Sequence, residues 1–450
     1  MDRETATPTV RSMPGERAEE WAARHREYAA PSTYVYDFVW DLAEEAAGPF
    51  VTDVDGNVLL DFTAHVGAAP LGYNNPKILD PLREFDLVDP LKIAGQDFYV
   101  SGQGVPTGTG EGLPGPAGLM ERLTEITGHY DMDTVFLSNS GAEAVENAIK
   151  ISYDHTGGRY AVTFEGAFHG RTLGALSLNR SKGRYRRTFP EIAGVQDVPF
   201  CRDRTCDPGT CECGFFAGDT SQLRRMLDPE RGYVDADELA YLVLEPLQGE
   251  GGYHVPSDAF MAELAALVDE HDLTLVADEI QSGLGRTGEW WAADHYPIEP
   301  DVIASAKGLR VGATVSRSEV FPEERGRLSS TWGAGDVLAS AQGALTVDAI
   351  EDYDLRANAV ERGRQCRERL TDADPEGVVD VRGLGLMLGV EFETKALRDE
   401  VIEAALARGL LTLGCGHKTV RLLPPLDVRE REIDLGVDLL LAAAGDARSA

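Results

Sequence analysis

An α/β architecture is predicted for this chain: a large domain built on a mostly parallel sheet covered by helices, joined to a smaller α+β domain. Three observations predict it. From Met120 onward short apolar runs alternate with helix-length amphipathic segments, the order expected when crossover helices join parallel strands. A length of 450 residues is enough for a large core and two or three domains. Beyond residue 336 the pattern changes to a long helical segment, two strands and a further helix.

Taken in order, residues 1 to 30 are charged and rich in Ala and Pro, an arm expected to lie on a neighbouring chain or to stay partly disordered. Val51 to Phe62 alternates around Asp55-Gly56-Asn57, a hairpin signal. Residues 1–75 are assigned to the smaller domain and 76–335 to the large one. The Gly/Pro-dense stretch Gly102 to Gly118 is a loop of the length that serves function or moves. Strands are expected at Val135–Leu137, Tyr160–Phe164, Leu242–Leu244, Leu273–Ala277 and Val302–Ala304, with a helix at Glu143–Tyr153. The C-terminal domain, 336–450, should contain one helical segment over Asp336–Leu370, strands at Val378–Arg382 and Met387–Glu393, and a helix at Leu397–Arg408. There is no internal repeat.

Composition narrows the function classes. Acids outnumber bases 76 to 42, for a net charge of -34. Such a surface repels nucleic acid and anionic membranes. Seven of the 42 basic residues are lysine, leaving 35 arginines; low lysine with abundant Asp and Glu suits a protein of high-salt surroundings, where screening removes self-repulsion. No apolar run approaches the roughly 18 residues that span a bilayer, and the N-terminus is polar rather than signal-like, so a cytoplasmic protein is expected. Four of the six cysteines crowd into Cys201-x4-Cys206-x4-Cys211-x-Cys213. Zinc is a candidate for them, but structural zinc sites favour two short Cys-x2-4-Cys hooks, so an ordinary loop is the simpler expectation.

Chemistry concentrates between Val276 and Lys307. One apolar run ends in Asp278, followed by Glu279-Ile280-Gln281; the next ends at Ala304-Ser305-Ala306-Lys307. A strand that delivers a carboxylate and a nearby strand that delivers an amine are what pyridoxal phosphate needs. The amine condenses with its aldehyde, and the acid keeps the pyridine nitrogen protonated. Upstream, Asn139-Ser140-Gly141-Ala142-Glu143 follows a strand and opens a helix, where backbone N–H groups can cradle a phosphate.

These motifs resemble those of the class III (omega) aminotransferases, fold-type I pyridoxal-phosphate enzymes that include 4-aminobutyrate, ornithine, acetylornithine and lysine-epsilon aminotransferases. The resemblance runs from about Val51 to Pro425 and adds Asp53-Val-Asp-Gly-Asn57, Ala167-Phe168-His169-Gly170-Arg171-Thr172, Glu245-Pro-Leu-Gln-Gly-Glu250, Ser330-Thr331-Trp332-Gly333 and Arg421-Leu-Leu-Pro-Pro425. It implies Lys307 and Asp278 as catalytic residues, with Ser140, Gly141, Ala142, Phe168, His169, Ile280 and Gln281 around the cofactor. Phe168 would stack on one face of the ring and Ile280 pack the other. Thr331 would reach the phosphate of a neighbouring subunit, implying a homodimer with shared active sites. Val66, in Ala64-His65-Val66-Gly67, would line the substrate pocket. Arg171, Glu250 and Arg421 would read substrate carboxylates, Glu250 pairing with Arg421 until an α-carboxylate displaces it.

The expected activity is amino transfer from an omega-amino or amino acid donor to a 2-oxo acid such as 2-oxoglutarate. Racemases and aminomutases share the fold and remain the alternative at this point; a non-catalytic, metal-regulated protein sensing through the cysteines is a third. One departure is plain. The family carries Gly-Gly-Gly-x-Pro after its lysine, and this chain has Gly308-Leu309-Arg310-Val311-Gly312.

Overall fold

The computed structural model describes residues 1–34, 36–84, 105–106, 112–329 and 334–448. The chain forms two compact units, residues 77–356 and residues 1–76 with 357–450.

The larger unit is organised by a seven-stranded sheet: β1 (Thr134–Ser138), β2 (Tyr160–Phe164), β3 (Val195–Val198), β4 (Leu239–Leu244), β5 (Leu275–Asp278), β6 (Val302–Ser305) and β7 (Gly312–Ser316), in the spatial order β1-β7-β6-β5-β4-β2-β3. All neighbours are parallel except β7, which runs antiparallel to both β6 and β1. Every residue of β4, β5, β6 and β7 is buried, so these strands are covered on both faces. That explains why they read as continuous apolar runs rather than as alternating ones. After Val302–Ala304 no further strand is expected until Val378–Arg382. β7 is instead a strand, and its sequence Gly-Ala-Thr-Val-Ser hides it because so little of it is bulky and apolar.

Four of the longer helices of the larger unit bear on the site. Helix α1 (Pro116–Thr127) packs on α4 (Val337–Asp352), and α2 (Gly141–Thr156) lies across β4, β6 and β7. Ala144, Val145, Ala148, Ile149 and Ile151 form its buried stripe, and Thr314 of β7 donates to the Ala144 carbonyl at 2.9 Å. Helix α3 (Asp258–His271) starts at an N-cap serine, Ser257.

The helical segment expected over Asp336–Leu370 is two helices, α4 and α5 (Leu355–Ala373). The break falls at Tyr353-Asp354, where Asp354 adopts φ 49°, a left-handed value that a continuous helix cannot contain. Through its packing on α1, α4 belongs to the larger unit, not to the C-terminal domain as expected.

In the smaller unit the expected hairpin is present as Phe50–Thr52 paired antiparallel with Val58–Asp61. Its turn does more than reverse the chain. Asp55 accepts the N–H groups of Arg17 and Ala18 at 2.9 Å, capping the helix Glu16–Tyr28, whose own N-cap is a glycine. Thr9 exchanges backbone hydrogen bonds with Val58. Arg3 reaches Asp427 and Glu432, both at 2.7 Å. The N-terminal arm is therefore docked on its own chain, correcting the expectation of a partly disordered arm. A second sheet places Val378–Leu384, Met387–Phe392, Thr419–Leu422 and Leu413–Cys415 side by side. Among the described residues no helix is long and apolar enough to cross a membrane.

Candidate active site

The polar residues of interest emerge where β1, β2, β4, β5 and β6 end, along one edge of the sheet. In an open parallel sheet this edge is where ligands bind, because loops and helix N-termini converge there. The register of β5 and β6 sets Asp278 opposite Ala304, and the Glu279 N–H donates to the Ala304 carbonyl at 2.9 Å. Lys307 follows three residues later, at the start of a short 3-10 turn. Pairing of two neighbouring strands thus brings the acid and the amine to the same edge.

Asp278 is buried, 5% exposed. Its Oδ2 lies 2.7 Å from His169 Nδ1, and its Oδ1 accepts the Ile280 N–H at 3.1 Å. An ionised carboxylate only accepts, so Nδ1 carries the proton; the buried His169 Nε2 meets no partner among the described residues. His169 therefore reaches Asp278, on which it acts as an orienting group. Glu245, directly after β4, accepts the N–H groups of Phe168 and Gly249, each at 2.8 Å, and ties the β4 loop to the β2 loop. Gln248 adds a second tie, donating to the Glu165 carbonyl at 2.7 Å. Glu245 was quoted in the sequence motif but given no role. The signal was available, since it ends a wholly apolar strand as Asp278 does.

Burial pushes Glu245 up to about 7, the Asp278 charge adding to it and the His169 ring opposing. Burial also pushes Glu279 up to about 7, against the hydrogen bonds it accepts from Ser282 Oγ at 2.6 Å and Ala293 N at 2.8 Å. The folded chain keeps these protons between about pH 4.5 and 7, where the unfolded chain has released them. Each carboxyl therefore costs stability as pH rises through that window. Glu279→Gln does not titrate, so its cofactor-free stability relative to wild type should rise by about 3 kcal/mol from pH 4.5 to 8. Urea unfolding of both proteins across that range measures this; a constant difference would contradict a raised Glu279.

Two glycines stand at close approaches, Gly312 against backbone and Gly141 against a side chain. A Cβ on Gly312 would stand 2.2 Å from the Ser140 carbonyl oxygen, and one on Gly141 would stand 2.9 Å from Ile280. Strand β7 is thereby laid against the Ser140-Gly141-Ala142 turn, and Ile280 against the start of α2. Ser140 is the N-cap of α2 and accepts the Glu143 N–H at 3.2 Å. Arg310, the departure from the family's turn, takes φ 65°. It occupies the left-handed conformation that a glycine would hold at lower cost, and its Nε donates to Gln342 at 3.2 Å. Gln281 lies over Gly249: a Cβ there would meet Gln281 Oε1 at 2.6 Å.

Phe168 is half-buried, so it is not spent on the core. Its ring stands edge-on to Tyr185 at 5.8 Å. The Arg171 guanidinium stacks on Tyr185 at 3.9 Å from the ring centre and lies 5.4 Å from Phe168. Tyr185 donates its hydroxyl to Glu250 Oε1 at 2.9 Å, and Lys182 Nζ reaches the same oxygen at 2.5 Å. Lys182 and Tyr185 were not among the expected site residues; in sequence they look like part of a solvated basic stretch.

Val66 and Arg421 belong to the smaller unit. Ala64, His65 and Val66 take φ of 42°, 53° and 62° in succession. Three consecutive left-handed residues that are not glycine store strain of the kind found at functional sites. The neighbouring Asp61 pins this turn by accepting from Thr63 N at 2.7 Å, Thr63 Oγ1 at 2.6 Å and Tyr73 Oη at 2.9 Å. Burial, with Asp61 beside it, pushes the Tyr73 phenol up, keeping it a donor. Arg421 stands on Thr419–Leu422, opposite Gly389. Thr331 lies outside the described residues, as do residues 102–104 and 107–111 of the Gly102–Gly118 loop. The four cysteines form a cluster of their own in the loop after β3.

The donor set fits pyridoxal phosphate: a buried acid for the ring nitrogen, an amine one strand away, a half-buried aromatic, and helix N–H groups for the phosphate. Comparison with known proteins agrees. The family model described as aminotransferase class-III matches residues 113–443. An acetylornithine aminotransferase of Archaeoglobus fulgidus is 32% identical over 94% of this chain and 100% of its own length. A 4-aminobutyrate aminotransferase of Mycobacterium tuberculosis is 32% identical over 97% of this chain and 98% of its own. The structure of the lysine aminotransferase from M. tuberculosis superposes with a TM-score of 0.79 at 29% identity, covering 97% of this chain and all of that one.

Proposed function

This chain belongs to the class III aminotransferase family and is a pyridoxal-phosphate-dependent aminotransferase, and we propose that its donor is an omega-amino acid of the 4-aminobutyrate, ornithine or lysine type, with 2-oxoglutarate or a similar 2-oxo acid as acceptor. The observation that carries this reading is Arg171, held on the face of Tyr185 at 3.9 Å beside Phe168. A guanidinium fixed there can bind a carboxylate. An omega-amino acid is the donor class whose carboxylate is remote from its reacting amine. The names of the relatives point to the same class.

When bound, the cofactor supplies an electron sink for the carbon that bears the amino group. Asp278 would hold a proton at the ring nitrogen, and His169 would hold Asp278. Lys307 Nζ would link to the cofactor at rest and, once displaced by the incoming amine, move the proton off the amino-bearing carbon. The N–H groups at Ser140, Gly141 and Ala142 would bind the phosphate. Phe168, Ile280 and Gln281 would fix the ring. Arg171 and Arg421 would take carboxylates, with Val66 shaping the pocket and Glu250 neutralising the cations when no α-carboxylate is present.

The reading extends to assembly and setting. Two chains would form a homodimer in which Thr331 completes the partner's phosphate site, in the cytoplasm of a cell with high internal salt, as the net charge of -34 supports. A donor screen with 2-oxoglutarate and with pyruvate at molar salt tests the substrate class. Glutamate should form from omega-amino acids, and Arg171→Gln should raise KM for them more than it lowers kcat. Turnover of α-amino acids alone, or inversion of an amino acid with no 2-oxo acid consumed, would contradict the proposal.

A further inference from the structure

We propose that Cys201, Cys206, Cys211 and Cys213 bind one structural zinc ion. Their four sulfur atoms lie within 4.8 Å of one another. Cys201 Sγ is 3.0 Å from Cys213 Sγ and 3.5 Å from Cys206 Sγ, and Cys211 Sγ is 3.3 Å from Cys213 Sγ. Zinc–thiolate bonds of about 2.3 Å place tetrahedral sulfurs about 3.8 Å apart. Small outward movements of the four side chains would therefore seat one ion at their centre.

The loop itself gives a second reason. Apart from the cysteines, residues 202–214 are Arg, Asp, Arg, Thr, Asp, Pro, Gly, Thr, Glu and Gly. Apart from Pro208 the segment has no apolar side chain and so no core of its own, yet Cys201 and Cys206 are buried. Turns at Asp203 and Asp207 close the wide spacings that made a metal site look unpromising in sequence. Asp203 O accepts Cys206 N at 2.9 Å, and Asp207 Oδ1 accepts Gly209 N at 2.7 Å and Thr210 N at 3.0 Å. The Phe216 N–H points at Cys211 Sγ at 3.3 Å, the contact that orients a thiolate ligand.

The ion follows from the ligand set. Four soft ligands in a tetrahedral arrangement select zinc or an iron–sulfur cluster. All four sulfurs fall inside one ion's coordination sphere, whereas a two-iron cluster spreads its cysteine pairs over two metals. Four protein ligands leave no open position, so the site is structural, not catalytic. Binding displaces the thiol protons to solvent. The ion would anchor a packed aromatic group: Phe200 and Phe215 flank the loop and meet Phe260 at 5.1 Å and 4.6 Å, and Phe260 meets Phe164 at 5.5 Å. Phe164 ends β2, just before the Phe168-His169 turn.

The test is metal analysis of the reduced, full-length protein grown with zinc and dialysed against EDTA to strip surface-bound ions. About one zinc per chain should remain. Exchange for cobalt should give the intense thiolate-to-cobalt absorption of a tetrahedral site. Cys206→Ser and Cys211→Ser should each lose the ion and lower the unfolding temperature. If those variants do not fold, the wild-type metal content and cobalt spectrum still decide. No retained zinc and no cobalt–thiolate band, disulfides among the four cysteines in the native protein, or iron with acid-labile sulfide would each overturn the proposal.

Discussion

Lys307→Ala should fold, bind pyridoxal phosphate without a covalent link, and lose turnover by at least about 10⁴-fold, the upper end of what a positioned acid–base group contributes. The lysine stands at the end of β6, whose residues are all buried, and its loss removes no core packing. What it would remove, on the proposed mechanism, is the resting attachment of the cofactor and the group that moves the proton at the substrate carbon. The other described lysine near the site, Lys182, is held by Glu250 at 2.5 Å, so it should not replace it. Added methylamine should restore part of the rate by supplying a small amine base. A Lys307→Ala protein with wild-type turnover would remove the mechanism's central residue.

Asp278→Asn should lower kcat by roughly 30- to 5,000-fold, the equivalent of about 2–5 kcal/mol for losing one partner of a buried charge-assisted pair. The change is nearly isosteric. The oxygen of the introduced amide can still accept from His169 Nδ1, which lies 2.7 Å from the carboxylate in the native chain, so the floor of the site should keep its shape. Only the charge that would hold a proton at the ring nitrogen is lost. The loss should therefore appear in kcat and in the cofactor's absorption spectrum, with little change in thermal stability. Equal rates in the two proteins would show that the acid does not protonate the ring.

Much of this was legible in the sequence because buried parallel strands announce themselves. β5 and β6 are apolar runs that each end in one ionisable residue, and strand pairing carries that coincidence into space. Three parts were not legible. β7 has a single bulky apolar residue, Val315, and its first residue must be glycine to pass the Ser140 carbonyl. The break between α4 and α5 depends on one left-handed residue, Asp354, within a helix-compatible composition. The docking of the N-terminal arm depends on Arg3 finding Asp427 and Glu432 more than 420 positions away, which no local pattern encodes. At the site, Glu245 was passed over although it carries the same strand-end signal as Asp278. Lys182 and Tyr185 were passed over because a basic stretch looks the same whether it faces water or a carboxylate. The convergence of the four cysteine sulfurs was not legible either, because the wide spacings are closed by turns at Asp203 and Asp207.

The central claim, that β6 delivers the cofactor-bearing amine, is tested most directly by reducing the native protein with borohydride, digesting it and locating the cofactor by mass. The account predicts one labelled peptide, containing Ala306-Lys307-Gly308, with loss of the visible absorbance. A label on any of the other six lysines, or cofactor that leaves with the buffer after reduction, would contradict it.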